Sequence, residues 1–165
     1  MKKLYFDTSV ISHLKAPDTP ERMRDTLKLW NMLINNSEYY IIISPLTIGE
    51  MSKCEEPKKS YIFKMLQKLN YKKVKYSKEI LRLRKIYLEH NILSEKDKND
   101  LLHIAVVNNS DCVVSWNFKH MVKEKTIRLV NSINASLEYK QIKIVSPSEI
   151  IGGVEDGKRE HERVA

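Results

Sequence analysis

Residues 3–12 read KLYFDTSVIS, a short apolar run that ends in one carboxylate, Asp7, followed by the small hydroxyl residues Thr8 and Ser9. The run has the length of a buried strand, and Val10 to Leu14 read as a short helix ended near Pro17. The same pattern returns at residues 39–43, YYIII, where Ser44 and then Pro45 supply a helix cap and a proline suited to the first helical position. Strand followed by helix, used twice, predicts a parallel α/β sheet with helices on both faces. Ligands of such sheets bind at the carboxyl ends of the strands, where neighbouring connections diverge. Asp7 stands at that edge, either as the cap of the helix that follows or as a metal ligand.

The rest of the chain continues the alternation. Met23, Leu27, Trp30, Leu33 and Ile34 recur at helical spacing over residues 19–35, with Thr19 as cap and Pro20 in the first turn. Residues 58–69 and 77–89 carry helical apolar periods, with a brief strand expected between them around Val74. Residues 94–109 form a further helix, opened by Ser94 and Asp97 in the pattern of a capping box. A strand is expected over 112–115, a helix over 124–137, a last strand over 142–145 and a turn over 147–151. Residues 152–165 are almost all polar and are expected to be a charged, flexible tail behind a single domain of residues 1–151.

Composition excludes several classes. The 165 residues include two cysteines, Cys54 and Cys112, far apart and without the spacing of a zinc site or a disulfide framework. Asp7 interrupts the first apolar stretch before a signal peptide could form, and residues 39–48 are too short to span a bilayer. A cytoplasmic protein with no membrane partner is expected. The formal charge of +8 is concentrated: residues 53–85 hold twelve Lys or Arg against three Glu, a local net of +9. Tyr61, Phe63, Tyr71 and Tyr76 are interleaved with these cations, a combination that suits a nucleic acid and equally describes a solvated helical face. Lys53, Lys58, Lys59, Lys72 and Lys73 are the candidate RNA-binding residues.

Glu50 follows the second strand, Asp100 enters the segment DLLHIAVV, and Asn117 follows the strand CVVS. Glu50 could be an ordinary helical residue, and Asp97 is read as the capping partner of Ser94 ahead of a metal contact. His103 and His120 read as packed or hydrogen-bonded side chains. Asp100 is harder to explain structurally, because its helix is apolar nearly all round and a carboxylate entering a buried helix needs a partner for its charge. Asp97, His103, Ile104 and Val107 share its face, and no Lys or Arg occurs in the next eighteen residues. If Asp7, Glu50 and Asp100 face one another, their repulsion calls for a cation. Their hard oxygens suit Mg²⁺ or Mn²⁺ and so metal-dependent phosphodiester hydrolysis.

The segments YFDTSVIS, SPLTIGEM, DLLHIAVV and DCVVSWNFKHM, in this order, resemble the PIN-domain nucleases, especially the VapC-type toxins of toxin–antitoxin pairs. The resemblance implies a PIN-like three-layer fold and an Mg²⁺- or Mn²⁺-dependent endoribonuclease. Asp7, Glu50 and Asp100 would hold the metal, and Asn117 would complete the catalytic set. Thr8, Ser9 and Ser115 would support it, with Asp97 beside them. It also implies an antitoxin partner and, in many members, a homodimer. Asn117 stands where many members carry a fourth acid and reads as a neutral ligand or water-holder, so one tightly held ion is expected, with any second ion arriving with RNA. An inactive PIN-like RNA-binding module is the alternative. A phosphatase of the haloacid-dehalogenase type is disfavoured because Ser9 occupies the place of its second acid.

Overall fold

The structure, a computed structural model, describes residues 1–106 and 110–164, apart from the side chains of 155–158 and 160–162. Five strands, β1 (Lys2–Phe6), β2 (Tyr39–Ile43), β3 (Tyr71–Lys73), β4 (Cys112–Val114) and β5 (Lys143–Val145), form one sheet in the order β3-β2-β1-β4-β5. All neighbours are parallel, with Leu4 opposite Ile41 on one side and Cys112 on the other. The chain leaves β1 toward β2 and later returns to β1's other side as β4. The carboxyl end of β1 is therefore the point where the connections diverge, and Asp7 is its next residue.

Both sheet faces are covered, as the unbroken apolar strands require. Leu4, Phe6, Ile41, Ile43, Cys112 and Val114 face one core with α1 (Thr8–Ser12), α2 (Pro20–Ile34), α3 (Pro45–Ser52) and α4 (Lys58–Leu66). Tyr5, Ile42 and Val113, the alternate residues, face a second core with α5 (Lys78–Glu89), α6 (Lys98–Ala105) and α7 (Glu124–Ser136). The result is the expected α/β three-layer, PIN-like arrangement. Among the described residues no helix is long and apolar enough to cross a membrane.

Local readings meet the structure unevenly. Ser44 and Ser77 accept the backbone N–H of Thr47 and Ile80 as caps should. Thr19 does not, because its hydroxyl turns back to the Ala16 carbonyl, and Pro20 alone marks the start of α2. Ser94 and Asp97 do pair, but side chain to side chain at 2.8 Å, ahead of a short 3₁₀ turn over Glu95–Asp97 and not as a reciprocal box. α6 begins at Lys98, and its expected end at Asn109, with Val107 on its face, lies outside the described residues.

The last element differs most from expectation. The turn expected over 147–151 is the start of a long helix, α8 (Pro147–Val164), which continues through Gly152 and Gly153 into the charged residues. Each internal glycine costs a helix about 1 kcal/mol relative to alanine, but the Glu, Lys and Arg that follow are good helix formers. Ile150 and Ile151 pack against the core beside α2 and tie the first turns down.

Candidate active site

Asp7 is 3% exposed and accepts three hydrogen bonds. Ser9 Oγ and the Val10 N–H donate to Oδ1 at 2.6 and 3.3 Å, and Ser115 Oγ donates to Oδ2. Asp7 is therefore the cap of α1 and a locked site residue at once, so the two readings of its role do not compete. The hydroxyls are themselves held from β4's exit: Trp116 N–H donates to Ser9 Oγ and Asn117 N–H to Ser115 Oγ, at 2.8 and 2.9 Å. Two relays thus run from the turn after β4 to the two oxygens of one carboxylate. Burial nevertheless pushes the Asp7 carboxyl above its usual range, more strongly than His103 and the hydroxyls lower it.

Glu50 is half-buried on α3, and its Oε1 accepts from Thr8 Oγ1 at 2.7 Å and lies 3.1 Å from His103 Nε2. The His103 hydrogen bond, with that of Thr8, holds Glu50 below the usual carboxylate range. Behind it, His103 Nδ1 meets the buried Tyr5 hydroxyl, which also contacts Ser44 Oγ. His103 is therefore a packed, hydrogen-bonded histidine, as its place on a buried helix predicts. A chain of polar contacts from β1 through α6 to α3 fixes where Glu50 points.

Asp100, in the first turn of α6, is partly buried, and burial and the nearby Asp7 raise its pKa against the charges of His103 and His120. Asn117 Nδ2 donates to Asp100 Oδ2 at 3.2 Å, while Asn117 Oδ1 accepts the His120 N–H at 3.0 Å. Hence the amide is spent on holding its neighbours. Asp100 is tied to Asp7 through Asn117 and Ser115, whereas Glu50 is held by a separate set of bonds to Thr8 and His103. The three carboxylates do not each bring an oxygen within 4.8 Å of the other two. Among the described residues the group that does so is Asp97, Asp100 and His120.

The donor set is chemically suited to a hard divalent cation. It consists of carboxylate oxygens on a divergent sheet edge, and among the described residues no Lys or Arg lies within 4.0 Å of Asp7, Glu50 or Asp100. Asp7, with three of roughly four acceptor positions in use, retains one for a ligand. Neither cysteine forms a disulfide, and burial pushes the Cys112 thiol up to about 11, which disfavours a thiolate at Cys112.

The structure divides the basic stretch. Lys53 ends α3 near enough for its charge to lower Glu50, and Lys58 Nζ donates to Ser12 Oγ at the end of α1. Lys59 lies beside Lys58 in the first turn of α4. Lys72 and Lys73 instead line a separate groove with Lys3, Lys75, Lys140 and Asp111, which includes none of the site carboxylates. Sequence reasoning overlooked an aromatic step beside Asn117: Arg22 lies over the rings of Trp116 and Phe118 at 5.5 and 5.2 Å, and Phe118 is 45% exposed. Only the Trp-Asn-Phe run gave a hint of it, since Arg22 is about ninety residues away in the chain.

The sequence matches no protein-family model and no curated protein. The fold is similar to that of a chain in the crystal structure of VapBC2 from Rickettsia felis bound to a DNA fragment from their promoter. The TM-score is 0.52 at 12% identity, and the match covers 87% of this chain and 98% of that one. At that identity the likeness is one of fold.

Proposed function

We propose that the chain is a Mg²⁺- or Mn²⁺-dependent endoribonuclease of the PIN type and the toxin of a toxin–antitoxin pair. The observation that carries this reading is Asp7: a buried carboxylate at the divergence of a parallel sheet, locked by two hydroxyl relays, with no Lys or Arg within 4.0 Å among the described residues. Asp7, Glu50 and Asp100 would hold the ion. When bound, it supplies a Lewis acid and an acidified water for attack on a phosphodiester. The protein's own part is positional. Ser9 and Ser115 fix both oxygens of Asp7, Thr8 and His103 aim Glu50, and Asn117 restrains Asp100. The exposed Phe118 offers a ring for base stacking beside these acids. An antitoxin partner belongs to the same reading, supported by the fold's likeness to a chain of the VapBC2 structure, and a homodimer belongs to it only as an implication of the sequence resemblance.

A PIN-like RNA-binding module without cleavage is the second reading, favoured by the wider spacing of Asp7, Glu50 and Asp100. The two separate in one assay. Purified protein is expected to cut an end-labelled structured RNA with Mg²⁺ or Mn²⁺ and to stop when EDTA is added. Salt-sensitive binding with no cleavage under either ion would decide for the module.

The lysines give a second test. Lys53→Ala with Lys58→Ala, the first near Glu50 and the second at the end of α1, should weaken RNA binding and reduce the salt dependence by about 0.7 per lost phosphate contact on a single strand. Lys72→Ala with Lys73→Ala should affect cleavage less. Filter binding over a salt series compares them, and equal effects would place the RNA across both surfaces.

A further inference from the structure

We propose that Asp97, Asp100 and His120 form a second divalent-cation position, one that takes a transition-metal ion such as Mn²⁺ in preference to Mg²⁺. Each residue brings one ligand atom within 4.8 Å of the other two. The proposal rests on the reading above only for Asp100, which both positions would share.

The contact between His120 and Asp97 is at ion-pair distance, and the same separation suits two ligands around one ion. His120 Nε2 lies 3.6 Å from Asp97 Oδ1. That is too long for a hydrogen bond. It falls within the roughly 3.0–4.2 Å that separates ligand atoms bound at about 2.1 Å around one ion. Among the described residues the His120 ring makes no hydrogen bond in which this separation could be a by-product.

The supports of these side chains lie outside the cluster, as outer partners of metal ligands do. Ser94 Oγ donates to Asp97 Oδ2, which leaves Oδ1 toward His120. The Thr126 hydroxyl donates to the His120 carbonyl and Asn117 Oδ1 accepts the His120 N–H, so the backbone that carries the imidazole is held on both sides. Because a backbone N–H only donates, the Asn117 oxygen must face His120 and its NH₂ must face Asp100. One amide thereby restrains two ligands. An aspartate at 117 would accept from both directions and repel Asp100. The neutral residue that stands where the resemblance implies a fourth acid is thus explained if the missing donors come from Asp97 and His120.

Two carboxylates and one imidazole balance a divalent charge and leave coordination places for water. The imidazole sets the preference, because Mg²⁺ favours an all-oxygen shell whereas first-row transition-metal ions accept nitrogen readily. This position also replaces the single ion expected from the sequence with two that share Asp100.

The test is pulsed electron paramagnetic resonance of the free protein loaded with Mn²⁺, reading the echo modulation from a coordinated imidazole nitrogen. Wild type should show that coupling. His120→Gln, folded by circular dichroism, should lose it and bind Mn²⁺ at least about tenfold more weakly, with a smaller change for Mg²⁺. Asp97→Asn, which leaves His120 in place, should show a comparable loss of Mn²⁺ affinity. No Mn²⁺ binding at millimolar concentration, no nitrogen coupling in wild type, or coupling that persists in His120→Gln would each overturn the proposal. The spectrum needs no RNA. Cleavage without coupling removes only this inference, and coupling without cleavage removes only the nuclease reading.

Discussion

Asp100→Asn is expected to lower RNA cleavage by at least about a hundredfold while the protein still folds and still binds RNA. The magnitude follows from metal sites in which even an outer hydrogen-bond partner is worth about 10–100-fold, so an inner carboxylate should be worth no less. Folding should survive because the substitution keeps the one hydrogen bond that the described residues make to this carboxylate. An asparagine at 100 can present its oxygen to Asn117 Nδ2, as Asp100 Oδ2 does now. Only the charge is removed. RNA affinity should hold or rise, since one fewer anion then faces the phosphates. The measurement is cleavage of end-labelled RNA under Mg²⁺ and Mn²⁺, with circular dichroism on the same preparation. A folded variant that cuts at the wild-type rate would remove Asp100 from the site.

Much of the frame is readable in the amino-acid order, because each strand and each buried helix has its own apolar period. YYIII followed by Ser44 and Pro45 specifies a strand, a cap and a helix without help from distant residues. Asp7 is equally readable, since the same residue must satisfy α1's first turn and stand at the sheet edge. What was lost depends on contacts that sequence distance hides. Arg22 reaches Trp116 from α2, and Lys53 and Lys72, near neighbours in one basic run, end on different surfaces because α4 and the return to β3 separate them. From the sequence His120 reads as a packed or hydrogen-bonded side chain, and its approach to Asp97 is hidden because it arises only when the turn after β4 meets the start of α6. The spacing of Asp7, Glu50 and Asp100 was beyond sequence as well. It depends on how Thr8 and His103 draw Glu50 toward α1 and α6, and on where Asn117 holds Asp100.

Binding of Mn²⁺ or Mg²⁺ should raise the melting temperature of the wild-type protein by about 5–11 °C when the ion is at a hundred times its Kd. Such saturation contributes about 2.7 kcal/mol, and a chain of this size gains roughly 2–4 °C per kcal/mol. Asp100→Asn should gain much less. The metal-free proteins should rank the other way near neutral pH, and the reason is the sign of the carboxyl shifts. The folded pKa values of Asp7 and Asp100 are raised above the ordinary 3.8, chiefly by burial. The stability linked to their protons is therefore complete below 3.8 and is lost as pH rises through the raised folded values. Near neutral pH the raised values of Asp7 and Asp100 both work against the metal-free fold, and Asp100→Asn removes the share that belongs to Asp100. Glu50 works in the opposite sense. Its folded pKa is lowered by His103 and Thr8, so its contribution is present above its ordinary 4.5 and is lost as pH falls through the lowered value. Thermal melts of wild type and Asp100→Asn, with metal and with EDTA from pH 4 to 8, read all three effects. Because protons and the cation compete for Asp7 and Asp100, the metal-induced rise should shrink as pH falls toward their folded values. An equal rise in both proteins, or a rise independent of pH, would mean that the cation is held elsewhere.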